Sequence, residues 1–241
     1  MKFILENLIG IVSITILTLN TIILSCLLIP LGLIKFFLPI TNIKVLFTKF
    51  IINIGELWIF TNKIWVKALH KPNWEIIGKE NIKSNGWTIA TSNHQSFADI
   101  FLLQDITNMK MPMLKFFMKY VLIYVPIIGL SWWALDMPFL KRYTKKQLEK
   151  NPKLVGKDVK EMKRALKHYS LYPVTVFSFA EGTRFTVKKH RNQNSPFDNL
   201  LKPKEGGLAT ALSLVNKIDS LIDFTIKFDS QKRSFWDYLC G

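Results

Sequence analysis

The residues that could carry acid–base chemistry in this chain are concentrated in one short stretch, NHQSFAD, at residues 93–99. His94 and Asp99 are spaced so that a turn entering a helix can bring the carboxylate against one imidazole nitrogen. The other ring nitrogen would then be available as a general base. The same spacing also fits a histidine that only satisfies local hydrogen bonds. No further cluster of His, Cys or carboxylate residues supplies the ligands of a metal site, so no metal is expected.

A second polar stretch, FAEGTRF, occupies residues 179–185 and follows the apolar run PVTVFSFA. A glycine turn at the end of a strand would present backbone N–H groups and the Arg184 guanidinium at the edge of a sheet. That combination suits bidentate recognition of a phosphate group. A surface turn with an exposed arginine is the alternative interpretation of the same residues.

The elements that must position these residues follow from hydrophobic periodicity. Short apolar runs predict strands at 74–78, 87–91 and 173–180, and longer periodic segments predict helices at 97–110, 113–124 and 157–169. The alternation of strands and helices indicates an α/β domain with a central mixed sheet flanked by helices. Both polar stretches would then follow strands of that sheet.

The amino-terminal region differs from the rest of the chain in its composition. Residues 7–34 carry no charged side chain, and about 20 apolar residues suffice to cross a bilayer core. We therefore expect a membrane-embedded helical segment; a cleaved signal peptide fits less well, because the run is long and no small-x-small site follows it. Whether the segment spans once or turns back at Pro30 or Pro39 stays open, since proline can end or kink a helix.

Residues 43–68 predict a second helix, amphipathic and lying at the bilayer surface, with a soluble core helix as the alternative. This divides the chain into an anchor with an interfacial helix at 1–71 and a catalytic domain at 72–241. Lysines outnumber the single Glu56 between Lys35 and Lys71. Under the positive-inside rule, the catalytic domain is expected to face the cytoplasm.

The charge balance is strongly basic, with 33 Lys+Arg against 17 Asp+Glu and a formal charge of +16. Such a chain attracts nucleic acid, an anionic membrane face or phosphorylated substrates. The basic run at 141–167 is either a solvated helical face or a surface that meets anionic groups. Aromatic residues cluster with apolar ones instead of alternating with arginine, so nucleic acid is not the expected partner. Cys26 and Cys240 form no disulfide framework.

NHQSFAD followed by FAEGTRF resembles two signatures of the glycerolipid acyltransferases, the PlsC-like family of lysophosphatidic acid (1-acylglycerol-3-phosphate) acyltransferases. Between them, KYVLIYVPIIGLSWW resembles the second signature of the family and contains Lys119 at its start. ALDMPFLKR, LLKPKEGG and FWDYLCG are similar to the bacterial YihG-type branch, whose members are inner-membrane enzymes. Relatives of that branch continue past the point where this chain stops, so a truncated carboxyl-terminal end is expected.

The resemblance implies transfer of a fatty acyl group from acyl-CoA or acyl-ACP to the free sn-2 hydroxyl of 1-acyl-glycerol-3-phosphate, giving phosphatidic acid. No cofactor besides the acyl donor is implied. The catalytic residues would be His94 as base and Asp99 as its orienting partner, with Ser96 shaping the turn rather than acting as a nucleophile. The implied substrate-binding residues are Glu181, Gly182, Thr183, Arg184 and Lys119.

The implied partners are a lysophospholipid acceptor, acyl-CoA or acyl carrier protein, and the lipid bilayer, at the cytoplasmic (inner) membrane. Two alternatives stay open. The acceptor could be another lysophospholipid, since the same pair of residues, His94 and Asp99 (the dyad), would catalyse that reaction. In a different class of function, the chain would be a membrane-anchored basic protein that binds nucleic acid or another partner through residues 141–167.

Overall fold

The computed structural model describes residues 2–82, 84–141, 149–154, 156–214, 217–228 and 234–241. The predicted basic run at 141–167 lies partly outside these ranges. The described helices are α1 (Lys2–Phe37), α2 (Thr41–Leu69), α3 (Ala98–Thr107), α4 (Ile128–Ala134), α5 (Lys157–Leu166), α6 (Val187–Gln193), α7 (Glu205–Leu214) and α8 (Phe235–Cys240). The described strands are β1 (Thr88–Ser92), β2 (Leu114–Phe116), β3 (Met118–Lys119), β4 (Phe139–Leu140), β5 (Thr175–Phe179) and β6 (Ser220–Phe224).

A four-stranded sheet with the order β2-β5-β1-β6 forms the centre of the domain, and β3 and β4 form a separate pair. Helices flank the central sheet, which confirms the α/β class. The sheet differs from the expected mixed one, because every described strand pair is parallel. Neighbouring strands of the central sheet are joined by long connections that contain helices, and such crossovers return the chain in the same direction.

Each face of the sheet packs against its own hydrophobic cluster. On one face, Ala90 of β1 and Phe177 of β5 pack with Leu103 of α3. On the other face, Ile89 and Val176 pack with Met162 of α5 and its neighbours. A parallel sheet covered on both sides requires nearly continuous apolar strands. This explains why the predictions at 87–91 and 173–180 are confirmed as β1 and β5.

Two predicted elements are wrong. Residues 74–78 form no strand; they lead into a short 3₁₀ helix at Lys79–Asn81, and Ile77 is exposed instead of paired. Residues 113–124 form β2, β3 and a 3₁₀ helix at Tyr120–Tyr124 in place of the expected helix. Pairing of β2 with the buried strand β5 decides the second case, because tertiary context overrides local propensity. The helices expected at 97–110 and 157–169 are confirmed as α3 and α5, each shorter than predicted.

Helices α1 and α2 form an antiparallel hairpin. Helix α1 continues through Pro30 to Phe37, so the chain turns back after Phe37 rather than at Pro30. The Asn20 side chain donates to the side-chain Oδ1 atom of Asn62 at 2.9 Å, and the Ser13 Oγ and His70 Nε2 atoms are 3.1 Å apart farther along the pair. From the first contact to the second, the residue number falls along α1 and rises along α2, so the two helices are antiparallel.

The hairpin is joined firmly to the part of the chain that contains the central sheet. Lys35, near the end of α1, forms an ion pair with Asp136 at 2.8 Å. Ile51 and Ile59 of α2 are buried in a cluster that also contains Leu135 and Met137. Helix α2 is therefore packed on α1 and on the domain along much of its length.

Helix α1 is long and apolar enough to cross a membrane, and most of its apolar 18-residue stretch is not buried within the protein. One face, including Leu17, Leu24 and Leu28, packs inward. The opposite face exposes large apolar side chains such as Ile23 and Leu27. Because exposed apolar surface is unfavourable in water, this face is suited to membrane anchoring.

Candidate active site

The two polar stretches meet at one edge of the central sheet. Strands β1 and β5 are parallel neighbours, and their last residues, Ser92 and Phe179, are paired in the register. The segments that follow these strands therefore leave the sheet side by side. This is the carboxyl edge, where open α/β sheets usually place their ligand sites.

His94 and Asp99 form the hydrogen-bonded pair that their spacing predicted. The His94 Nδ1 atom lies 2.8 Å from Asp99 Oδ2. Asp99 lies in the first turn of α3 and is fully buried. The same oxygen accepts the backbone N–H groups of Gln95 and Ser96 at 2.7 and 3.0 Å. Three donors thus fix the carboxylate. The other ring nitrogen of His94, Nε2, does not face Asp99.

The ring of His94 is held by more than its partner carboxylate. It stacks on Phe179, the last residue of β5, with ring centroids 3.8 Å apart and planes inclined by 11°. The side chain of His94 keeps 14% of its surface exposed, whereas that of Asp99 keeps none. A base accessible on one side and an orienting carboxylate sealed behind it are suited to proton transfer with a bound hydroxyl group. Ser96 accepts the backbone N–H of Ala98 at 3.2 Å, a local turn bond.

Glu181 connects three segments around the dyad. Its Oε1 atom accepts the backbone N–H of His94 at 2.8 Å, and its Oε2 atom accepts that of Leu201 at the same distance. Glu181 is itself buried. Because each carboxylate oxygen is engaged by a backbone donor, the side chain fixes the loop that carries His94 to the loop that follows α6.

Arg184 lies at the other end of the same turn. Its guanidinium stacks over the ring of Phe97 at 3.5 Å from the ring centroid, and it makes no hydrogen bond or ion pair with any described residue. The turn is fixed by Lys189, whose Nζ atom donates to Thr183 Oγ1 at 2.8 Å and to the Arg184 carbonyl at 2.9 Å. The backbone N–H of Phe185 donates to the His94 carbonyl at 2.7 Å.

Gly182 is required by the shape of this turn. Its φ of +65° lies in the left-handed region, and a Cβ atom there would approach the Cδ atom of Lys204 at 2.9 Å. Glycine meets both conditions without strain. The structure therefore brings Glu181, Gly182, Thr183 and Arg184 together with the His94 loop.

Lys119 occupies a different place. It is exposed at the end of β3, which pairs with β4, and it precedes the 3₁₀ helix Tyr120–Tyr124. Within the described ranges, no hydrogen bond or ion pair links Lys119 to the dyad or to the 181–184 turn. Lys119 is therefore a separate cation among the described residues, not a member of the assembled cluster.

Sequence reasoning gave no role to several residues that shape this site. Asn93 exchanges two hydrogen bonds with the backbone of Ile226, donating at 2.8 Å and accepting at 2.7 Å, and so ties the end of β1 to the segment after β6. Phe97, Phe179 and Lys189 also contact the site residues directly. Asn93 and Phe97 lie inside the NHQSFAD stretch, so their position was visible although their contacts were not.

The arrangement can accept a proton at His94 and present a guanidinium a short way along the neighbouring loop. Across the described part of the chain, no group of three or more His, Cys, Asp or Glu side chains is placed to hold a metal ion. The chemistry available from these residues is general-base catalysis with an anion-binding group beside it.

Comparison with known proteins finds relatives of this chain. The chain is 34% identical over 125 residues to human 1-acyl-sn-glycerol-3-phosphate acyltransferase delta, a match that covers 47% of this chain and 30% of that protein. It is 28% identical over 198 residues to 1-acyl-sn-glycerol-3-phosphate acyltransferase 3 of Arabidopsis thaliana, covering 72% of this chain and 48% of the relative. The chain thus spans half or less of the length of these curated relatives.

Among solved structures, the chain is similar to the 1-acyl-sn-glycerophosphate (LPA) acyltransferase PlsC from Thermotoga maritima, with 17% identity and a TM-score of 0.48 over 99% of this chain and 93% of that one. A family model described as Acyltransferase matches residues 73–225, which include His94, Asp99 and the 181–184 turn. This chain belongs to the acyltransferase family.

Proposed function

We propose that this protein transfers a fatty acyl group from a thioester of coenzyme A or acyl carrier protein to the free sn-2 hydroxyl of 1-acyl-glycerol-3-phosphate, forming phosphatidic acid. The single observation that carries the proposal is the bond between His94 Nδ1 and the buried Asp99 carboxylate at 2.8 Å. It orients the imidazole so that its other nitrogen can receive the proton of an attacking hydroxyl. The names of the relatives supply the acceptor.

In the proposed reaction, the acceptor hydroxyl oxygen attacks the thioester carbonyl carbon while its proton passes to His94 Nε2. Asp99 stabilises the imidazolium that forms, as a carboxylate does beside a catalytic histidine. The tetrahedral intermediate then collapses, the carbon–sulfur bond breaks, and His94 returns the proton to the departing thiolate. The products are the ester and a free thiol, and no nucleophile from the protein is needed.

Arg184 is the proposed partner of the acceptor phosphate. Its guanidinium is the group in the assembled cluster that matches a phosphate in charge and geometry. Lys119 is proposed as a second phosphate-binding cation that comes into play when substrate is bound. Glu181 serves the same reaction by fixing the backbone of His94, and Gly182 and Thr183 by shaping the turn before Arg184.

We further propose that residues 1–71 anchor the enzyme in the cytoplasmic membrane with the catalytic domain on the cytoplasmic side. The exposed apolar face of α1 supports the anchor. The lysines that follow α1 support the orientation. An enzyme held at the bilayer can collect two lipid chains without drawing them through water. Within the family, the motifs quoted from the sequence favour the bacterial YihG-type branch.

The test is transfer of labelled oleate from oleoyl-CoA to lysophosphatidic acid in membranes with matched expression. We compare the wild type with His94→Ala and Arg184→Ala, and use His168→Ala as a control because His168 is an exposed histidine outside the cluster. Loss of transfer in His94→Ala, a raised acceptor KM in Arg184→Ala and normal transfer in His168→Ala are expected. Transfer that survives His94→Ala would exclude the proposed mechanism.

The same assay addresses the alternative acceptors. Lysophosphatidylglycerol and a phosphate-free monoacylglycerol are offered beside lysophosphatidic acid, and acyl-ACP beside oleoyl-CoA. Preference for lysophosphatidic acid supports the proposed acceptor, and preference for another phosphate-bearing lysolipid would replace it. Salt-sensitive RNA or DNA binding without any acyl transfer would favour the basic interaction protein instead.

A further inference from the structure

The bond between His94 and Asp99 does not explain the contact between Arg184 and Phe97. Phe97 also contacts a segment that has no role so far, SFWDYLCG at the end of the sequence. Phe97 lies between His94 and Asp99 in the chain and immediately before α3. Phe97 is 41% exposed, although it is a large apolar residue close in the chain to His94 and Asp99. Such a ring invites the question of what it holds in place.

One face of the Phe97 ring contacts the guanidinium of Arg184. Arg184 Cζ lies 3.5 Å from the ring centroid, which is the geometry of a stacked cation–π contact. Stacking uses the face of the guanidinium and leaves its N–H groups, which point outward in the plane, free to donate. An arginine side chain otherwise has considerable rotamer freedom, and ordering that freedom before substrate arrives favours binding.

The position of the Phe97 ring is itself fixed relative to the dyad. Asp99 Oδ2 accepts the backbone N–H groups of Gln95 and Ser96, the two residues that precede Phe97. The Arg184 backbone is fixed from the other side, because its carbonyl accepts from Lys189. The backbone before Phe97 and the backbone of Arg184 are thus each held by their own hydrogen bonds.

Helix α8 supports Phe97 from behind. Phe235 of α8 meets Phe97 edge to face, with centroids 5.9 Å apart. The helix is tied in turn to the hairpin: Trp236 donates to Asn7 at 3.1 Å, and the Leu239 carbonyl lies 3.1 Å from His70 Nε2. An unbroken series of contacts therefore runs from α1 and α2 through α8 to Phe97 and Arg184.

We infer that Phe97 is a positioning residue that holds the Arg184 guanidinium ready for the phosphate of the acceptor, and that Phe235 of α8 supports it. The inference rests on the proposed function, because it assigns to Arg184 a phosphate-bearing lysolipid. It adds two residues that set acceptor specificity without touching the reacting atoms. It also gives α8 a role as the element that links the hairpin to the acceptor site.

The test measures binding first, so that it does not depend on the donor. Dissociation constants for lysophosphatidic acid and for a monoacylglycerol of the same chain length are measured in detergent by titration calorimetry. Phe97→Leu keeps a large apolar side chain but removes the ring face. We expect it to weaken binding of lysophosphatidic acid about fivefold, the size of an aromatic–cation contact, and to leave monoacylglycerol unchanged. Phe97→Tyr should restore wild-type binding, and Phe235→Leu should show a smaller effect of the same sign.

The double variant Arg184→Ala, Phe97→Leu separates this role from a structural one. If Phe97 acts through Arg184, the double variant binds lysophosphatidic acid no more weakly than Arg184→Ala alone. In acyl transfer, Phe97→Leu should raise the KM for the acceptor and leave kcat within about twofold. Equal losses in both backgrounds, or a fall in kcat at unchanged KM, would overturn the inference.

The two proposals fail in different ways. If Arg184→Ala weakens lysophosphatidic acid binding but Phe97→Leu does not, Phe97 has no positioning role and the proposed function stands. If Arg184→Ala itself leaves binding unchanged, the phosphate assignment is wrong and the inference about Phe97 falls with it. Thermal unfolding of each variant, expected within a few degrees of the wild type, checks that the fold is intact.

Discussion

Glu181 accepts the backbone N–H of His94 at 2.8 Å, so the carboxylate of the second polar stretch holds the main chain of the first. Its other oxygen accepts from Leu201, on a third segment. The acidic residue of this turn thus has a structural partner for each oxygen before any substrate is present. Its contribution to catalysis is expected to pass through the position of His94.

Glu181→Gln is expected to lower kcat about tenfold to a hundredfold with little change in the acceptor KM. Glutamine has one acceptor oxygen, so one of the two backbone N–H groups would face an NH₂ group. An unsatisfied buried donor costs about 1–3 kcal/mol, and we expect a loss of stability of that size in denaturant unfolding. Glu75→Gln is a matched control that makes the same change at an exposed position outside the site, and it should leave kcat unchanged. A rise in acceptor KM at unchanged kcat would instead indicate direct contact with the substrate.

Asp99→Asn is expected to reduce kcat about 10²- to 10⁴-fold while the protein stays folded, because the neutral amide cannot stabilise the imidazolium of His94. Asp105 provides the control: it lies on the same helix α3 and forms an ion pair with Lys63, away from His94. Asp105→Asn should keep most of the activity. Steady-state rates at matched concentrations decide the outcome, and equal losses in the two variants would argue for a purely structural Asp99.

Lys115 predicts a pH dependence of stability. It is fully buried on β2 and donates to the Leu135 carbonyl at 2.6 Å. Burial lowers its pKa from 10.5 to about 8, with nearby Asp136 partly opposing the shift. Between about pH 8 and 10.5 the unfolded lysine still binds a proton that the native one has released. Stability therefore rises with pH across this window.

The expected size of this rise is on the order of 3 kcal/mol, at 1.36 kcal/mol per pKa unit. It is measured as the difference in free energy of unfolding between wild type and Lys115→Met, from urea titrations in detergent at several pH values. The difference should shift in favour of the wild type from pH 8 to 10.5. A difference that stays constant over this range would mean that Lys115 has an ordinary pKa in the folded protein.

The apolar face of α1 predicts how the protein partitions. Ile23→Lys together with Leu27→Lys places two charges on its exposed face. A lysine at the centre of a membrane helix costs about 2.5–3.5 kcal/mol. We expect the double variant to move from the membrane pellet to the soluble fraction after carbonate extraction. As a control, Asn85→Lys adds a charge at an exposed position outside α1 and should stay in the pellet. If the α1 variant also stays in the pellet, the apolar face of α1 is not the membrane anchor.

The sequence alone predicted the α/β class of the fold and the pairing of His94 with Asp99. The spacing of His94 and Asp99 predicts their bond because both partners lie within one turn and the start of one helix. The strands at 87–91 and 173–180 are readable because a parallel sheet covered on both faces needs unbroken apolar runs. Local patterns failed at 113–124, where pairing of β2 with β5 outweighs helical periodicity.

Only the tertiary structure decided how the parts of the site support one another. Glu181 contacts His94 and Leu201, and Phe97 contacts Arg184 and Phe235, across long stretches of chain. No periodicity or motif encodes such partners, because a side chain's hydrogen bonds and ring contacts depend on where distant segments cross. The sequence shows which residues can transfer a proton or bind a phosphate; the packing of the sheet, the hairpin and α8 shows which residues hold them in position.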